Sequence, residues 1–159
     1  MIHRTIEESI APLLGSQKAI IVMGARQVGK STLLESLFRQ RDDVLWMNGD
    51  DPDIQQMFEQ MTSTRIRAIL GSKRILVIDE AQRIPDIGLR LKLVTDQVKE
   101  VQVVATGSSS FELANRVNEP LTGRKHEFRM FPLSFSEMVS HAGLLDELRL
   151  LPHRMVYGY

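Results

Sequence analysis

Eight residues constrain this chain more than any other stretch: Gly24-Ala25-Arg26-Gln27-Val28-Gly29-Lys30-Ser31. They fit the pattern G-x-x-x-x-G-K-[ST] at every required position. The apolar run Ala19-Ile20-Ile21-Val22-Met23 precedes them, and Leu33, Leu34, Leu37 and Phe38 follow at helical spacing. Glycines at both ends let the backbone wrap around a phosphate, with successive N–H groups forming an anion nest. A helix starting there adds the positive end of its dipole. On this reading Lys30 reaches the β- and γ-phosphates and the Ser31 hydroxyl ligates Mg²⁺. Gly24, Arg26, Gln27, Val28, Gly29 and Thr32 complete the cradle. A glycine-rich turn without a ligand is the plainer reading, and the strand before it and the helix after it weigh against that.

The rest of the chain repeats the strand-then-helix pattern. Ile6, Ile10, Leu13 and Leu14 predict an amphipathic opening helix over residues 5–14, broken by Gly15-Ser16. Val44-Leu45-Trp46-Met47, Ile75-Leu76-Val77-Ile78 and Val101 to Ala105 predict further buried strands, and Glu127 to Phe131 a fifth. Trp46 reads as core rather than as a stacking platform. Residues 53–70 predict one or two helices; Ile87, Leu91, Val94 and Val98 predict another, and Phe111 to Val117 a short one. Ser134-Phe135-Ser136-Glu137 matches a capping box, so a helix is predicted from Phe135, with Gly143 as its stop. Apolar strands alternating with helices predict an α/β fold, a parallel sheet covered on both faces.

Composition narrows the function classes. The 159 residues form one domain-sized unit with 20 basic and 20 acidic side chains. A formal charge of zero disfavours a protein ruled by nonspecific attraction to nucleic acid or membrane surfaces. The absence of cysteine excludes disulfides, zinc–thiolate sites and thiol catalysis. No apolar run approaches the roughly 20 residues of a membrane span, and the N-terminus lacks a signal-peptide core, so a cytoplasmic location without membrane contact is expected. His3, His126, His141 and His153 have no metal-ligand spacing.

The third predicted strand ends in Asp79-Glu80. Ligands gather at the carboxyl ends of strands in a parallel sheet. Asp79 is therefore expected beside the phosphate loop as a Mg²⁺ partner, and Glu80 as the base that polarises an attacking water. A solvated strand end is the plainer reading of such a pair. The second carboxylate favours a hydrolase over a small nucleotide kinase. The fourth strand ends in Thr106-Gly107-Ser108-Ser109-Ser110. If it lies between the first and third, Ser108 faces the γ-phosphate as a sensor, with Thr106 second; Ser109 or Ser110 serves as a helix cap. Arg116, Arg124 and Arg129 follow. Arg124, in the turn Leu121-Thr122-Gly123-Arg124, reads either as a finger reaching a neighbouring subunit's γ-phosphate or as a surface residue paired with Glu119 or Glu127. Gln82 reads either as a relay of nucleotide state or as a polar residue opening a helix.

Four motifs in order resemble the AAA+ ATPase domain of a bacterial and archaeal family whose longer members carry a C-terminal DUF4143 domain. They are Gly24 to Thr32, Val77-Ile78-Asp79-Glu80-Ala81-Gln82, Thr106 to Ser110, and Leu121-Thr122-Gly123-Arg124 with Phe131-Pro132-Leu133-Ser134-Phe135-Ser136-Glu137. The resemblance spans roughly residues 4–140. It implies a P-loop NTPase of the additional-strand type, a three-layer sandwich with sheet order 5-1-4-3-2, using ATP and Mg²⁺. It divides the chain into a core over residues 1–142 and the start of a truncated C-terminal region over 143–159. The lid, a second sensor arginine and the C-terminal domain are then expected beyond Tyr159. ATP hydrolysis is the expected activity, with Glu80, Ser108 and Arg124 as catalytic groups. The alternative is a nucleotide-gated module for a protein or DNA partner with little turnover. A homo-oligomer fits either.

Overall fold

Why four apolar runs are apolar throughout is answered by the two faces of the sheet they build. In the computed structural model, which describes residues 2–108 and 120–157, five strands lie in the order β2-β3-β4-β1-β5. They are β1 (Ala19–Gly24), β2 (Val44–Asn48), β3 (Ile75–Asp79), β4 (Gln102–Ser108) and β5 (Lys125–Met130). Every pairing is parallel. Read from the other edge this is 5-1-4-3-2, the order implied by the resemblance.

Successive side chains on a strand point to opposite faces. Ile21, Met23, Leu76, Ile78, Val103 and Ala105 pack on one face against Phe58, Ile66, Leu70, Leu91 and Val94. Those partners come from α3 (Pro52–Glu59), α4 (Ser63–Leu70) and α5 (Ile87–Gln97). Ile20, Val22, Ile75, Val77 and Val104 pack on the other face against Ile10, Leu33, Leu34 and Phe38. These belong to α1 (Thr5–Ile10) and α2 (Lys30–Phe38). The central strands are thus buried from both sides, which explains their lack of alternation. Truncating a fully buried strand residue such as Ile78 to Ala would cost roughly 2–5 kcal/mol.

Local chemistry sets the helix ends. The Asp51 carboxylate accepts from the Asp53 N–H and Pro52 opens α3. The Thr62 hydroxyl accepts from the Arg65 N–H at the start of α4. The span 53–70 is therefore two helices. The predicted capping box is present: Ser134 and Glu137 satisfy each other's backbone N–H at the start of α6 (Phe135–Ala142). After Gly143 (φ 93°) the chain forms α7 (Leu144–Tyr157), with Pro152 inside it and Leu145, Met155 and Val156 largely exposed.

Three expectations need correction or stand outside this description. Trp46 is not core: it lies 44% exposed on the edge strand, edge-on to Phe38. β5 begins at Lys125, ahead of the expected 127, because backbone pairing with β1 continues through polar residues. The expected helix at 111–117, the capping serines Ser109 and Ser110, Arg116 and Glu119 lie outside the described residues. No helix among the described residues is long and apolar enough to cross a membrane.

Candidate nucleotide site

The carboxyl ends of β1, β3 and β4 meet at one end of the sheet, and the motif residues meet with them. β1 delivers Gly24 against β5 so closely that a Cβ there would lie 2.5 Å from the Met130 carbonyl oxygen. Only glycine fits. The loop then turns through left-handed residues at Gln27 (φ 65°) and Gly29 (φ 92°) before α2 starts at Lys30. The first-turn amides of α2 consequently open onto the loop. The Lys30 side chain is buried, and its ammonium donates to the carbonyls of Gly24 at 3.1 Å and Ala25 at 2.9 Å.

Ser31 and Asp79 come from different elements and are joined: the Ser31 hydroxyl donates to Asp79 Oδ2 at 2.6 Å. The other carboxylate oxygen accepts from the Thr106 hydroxyl and from the Glu80 N–H, the latter at 3.1 Å. Thr106 Oγ1 also accepts from that N–H at 3.2 Å. β4 thereby fixes both members of the acidic pair.

Glu80 occupies the left-handed region (φ 49°, ψ 40°). Gly49 makes room for it: a Cβ on Gly49 would sit 2.4 Å from the Glu80 carbonyl oxygen, and the Gly49 N–H donates to the Asp79 carbonyl at 2.7 Å. In the sequence Gly49 reads only as a turn residue in Asn48-Gly49-Asp50-Asp51-Pro52. Gln82, buried in the short 3₁₀ turn Ala81–Arg83, donates from Nε2 to Glu80 Oε2 at 2.5 Å. Its Oε1 accepts from the Ser108 N–H at 3.3 Å. Ser108 stands beside Gly24 in the β4–β1 register, at the mouth of the phosphate loop.

A cleft of about 440 Å³ runs along the loop, lined by Arg26, Gln27, Val28, Gly29 and Thr32 and by Ile2, Arg4, Pro132 and Leu133. The last four were not anticipated, since no local pattern ties the chain's first residues to a segment after β5. Arg4 makes that link. It donates from Nη1 to the Val28 carbonyl at 2.9 Å, from Nη2 to the Phe131 carbonyl at 2.6 Å, and from Nε to Glu137 at 3.1 Å.

Burial alone would push the Glu137 carboxyl up. Hydrogen bonds from the N–H groups of Ser134 and Thr5, the Arg4 guanidinium and the Ser134 hydroxyl outweigh it and lower the carboxyl to about 2.

Arg124 is not brought to this site. Its carbonyl accepts from the N–H of Ala19, at the opposite end of β1 from Gly24. At the usual rise per strand residue, that places it roughly 17 Å from the loop. Its guanidinium binds Asp96 at 2.7 Å and the Thr122 carbonyl at 3.3 Å, rather than Glu127.

A family model described as AAA domain (AAA_14) matches residues 16–139. An uncharacterized protein of Haemophilus influenzae is 28% identical over 156 residues, covering 87% of this chain and 37% of that protein. One of Mycobacterium tuberculosis is 27% identical over 124 residues, covering 77% of this chain and 27% of its own length. The chain thus spans between about a quarter and two fifths of the relatives it matches. The Aeropyrum pernix ORC1 protein, solved in complex with DNA, superposes with a TM-score of 0.64 at 14% identity, covering 88% of this chain and 48% of that one. The Pif1 helicase of Candida albicans gives 0.58 at 14% identity, covering 95% and 44%. At that identity the likeness is one of fold.

Proposed function

The chain belongs to the AAA domain family and has its nucleotide-binding fold, and from that premise we propose that it hydrolyses ATP with Mg²⁺. The observation that carries this reading is the convergence of Lys30, Ser31, Asp79 and Glu80 at one end of the sheet, linked by the Ser31–Asp79 and Glu80–Thr106 hydrogen bonds.

The donor set fits a hard cation. A hydroxyl and a single carboxylate, with no cluster of three or more His, Cys, Asp or Glu among the described residues, suit Mg²⁺ that takes its remaining ligands from phosphate and water. Held by Ser31 and Asp79, the ion would neutralise charge on the β- and γ-phosphates.

The chain's own groups do the rest. Lys30 exchanges its loop carbonyls for phosphate oxygens and stabilises their charge. Glu80 accepts a proton from the water whose oxygen bonds to the γ-phosphorus, as the bond from that phosphorus to the bridging oxygen of ADP breaks. Ser108, beside Gly24, reads the γ-phosphate. Arg124 is too far from its own loop to serve it, so its contribution would go to a second copy of the chain. Preference for ATP rests on the family, and the cleft beside Ile2, Pro132 and Leu133 offers an apolar seat for the base.

The test is phosphate release from Mg-ATP across protein concentration, beside Glu80→Gln. Release that rises faster than linearly and vanishes in the variant supports the reading. Retained turnover in Glu80→Gln sinks it. If Arg124 finds no second copy to serve, the remaining reading is a nucleotide-gated module for a protein or DNA partner. Tight ATP binding without release at any concentration would select it.

A further inference from the structure

We propose that Gln82 is a positioning residue: it sets the side-chain orientation of Glu80 and ties it to the tip of β4. The proposal rests on the reading of Glu80 as the water-polarising carboxylate. The backbone of Glu80 is already fixed, because its N–H is held by Asp79 Oδ1 and Thr106 Oγ1. What remains free is the carboxylate at the end of its side chain, and that is the part Gln82 holds, at 2.5 Å.

The identity of the residue matters here. A carboxamide carries a donor and an acceptor on one rigid plane. The Glu80 carboxylate requires the donor and the Ser108 N–H requires the acceptor, so the two partners together fix which way the amide faces. Neither a carboxylate nor a thioether can make both bonds. The backbone of Gln82 has little room to compensate, since Ala81 before it and Ile84 two residues on are fully buried.

The bridge has a mechanical consequence. Ser108 is paired with Gly24, where the phosphate loop begins. A shift of the β4 tip when the last phosphate arrives moves the Ser108 N–H, and Gln82 passes that shift to the carboxylate. Phosphate occupancy and the orientation of the water-polarising group are thereby coupled through one side chain.

Two variants in the full chain test this. Gln82→Met keeps the volume and loses both bonds; Gln82→Glu keeps the acceptor and sets a second carboxylate against Glu80. Both should lower kcat on the order of 10- to 100-fold, the scale of a misplaced reacting group, while KM and ATP affinity change little. Normal kcat in both variants would overturn the proposal.

A second readout needs no turnover. By amide NMR without nucleotide, Glu80→Ala should move the Ser108 N–H resonance in the Gln82 chain and leave it unmoved in the Gln82→Met background. An equal response in both backgrounds rejects the coupling. If the chain releases no phosphate, hydrolysis fails as a function while the NMR comparison still decides the bridge.

Discussion

Arg4 and Glu137 stand 133 positions apart and share a 3.1 Å hydrogen-bonded ion pair with side chains only 10% and 9% exposed. The same guanidinium holds the Val28 carbonyl, so the first helix, the phosphate loop and the start of α6 are pinned at one point. The Glu137 carboxyl, held at about 2 against an ordinary 4.5, makes this point sensitive to acid. A carboxyl whose pKa is depressed in the folded state stabilises the fold above its unfolded pKa. That contribution fades as pH falls through the folded value. Chemical denaturation of the wild type and Glu137→Gln should therefore differ by roughly 3 kcal/mol at neutral pH. The gap should close between about pH 4.5 and 2. A gap that ignores pH would show that ionisation of Glu137 is not what stabilises the fold.

Lys30→Ala should abolish tight nucleotide binding and leave the fold intact. Among the described residues its hydrogen-bond partners are two loop carbonyls, and the neighbouring loop turns are set by Gln27 and Gly29. Titration with a fluorescent ATP analogue checks the first point and a thermal melt the second. Affinity within about threefold of wild type would remove Lys30 from the site.

Gly49→Ala should damage the site from the far side of the acidic pair. The added methyl would meet the Glu80 carbonyl at 2.4 Å and its carbon at 3.0 Å, both backbone atoms with nowhere to rotate. A loss of about 1–3 kcal/mol is expected from such overpacking. Phosphate release should fall further than the melting curve alone explains, because Glu80 is the residue displaced.

Arg124→Ala should cost the isolated chain little stability, within about 1 kcal/mol, since its ion pair with Asp96 is partly exposed. If the arginine serves a neighbouring copy, Arg124→Ala should be inactive alone, as should Lys30→Ala. A mixture of the two should recover phosphate release, because mixed neighbours contain some complete sites. Absence of recovery, with both proteins folded and associated, would confine Arg124 to its pairing with Asp96.

The parts of this molecule written into short stretches of sequence were readable there. The phosphate loop, the acidic pair and the capping box at Ser134 are each set by neighbours within a few residues, and the buried strands announce themselves as apolar runs. Strand order is different: it came from the family resemblance, since four similar aliphatic runs carry no record of which lies beside which. Trp46 was misplaced because an edge strand with a single neighbour leaves one side to solvent, and aromatic character alone does not show which side. The links of Arg4, the role of Gly49 and the two partners of Gln82, which reads in the sequence only as a relay or a helix-opening residue, were not legible for one shared reason. Each acts through a partner that only the folded chain brings near, and an isolated arginine, glycine or glutamine has no local signature for that.

The carbonyls that hold Lys30 carry one more consequence. An ammonium has three protons to give, and two are already engaged by Gly24 and Ala25. On the proposed reading, phosphate oxygens would take the third proton first and then compete with these carbonyls. The loop's resting hydrogen bonds thus hold the ammonium in place at the start of α2 through its own backbone, with one proton left to give.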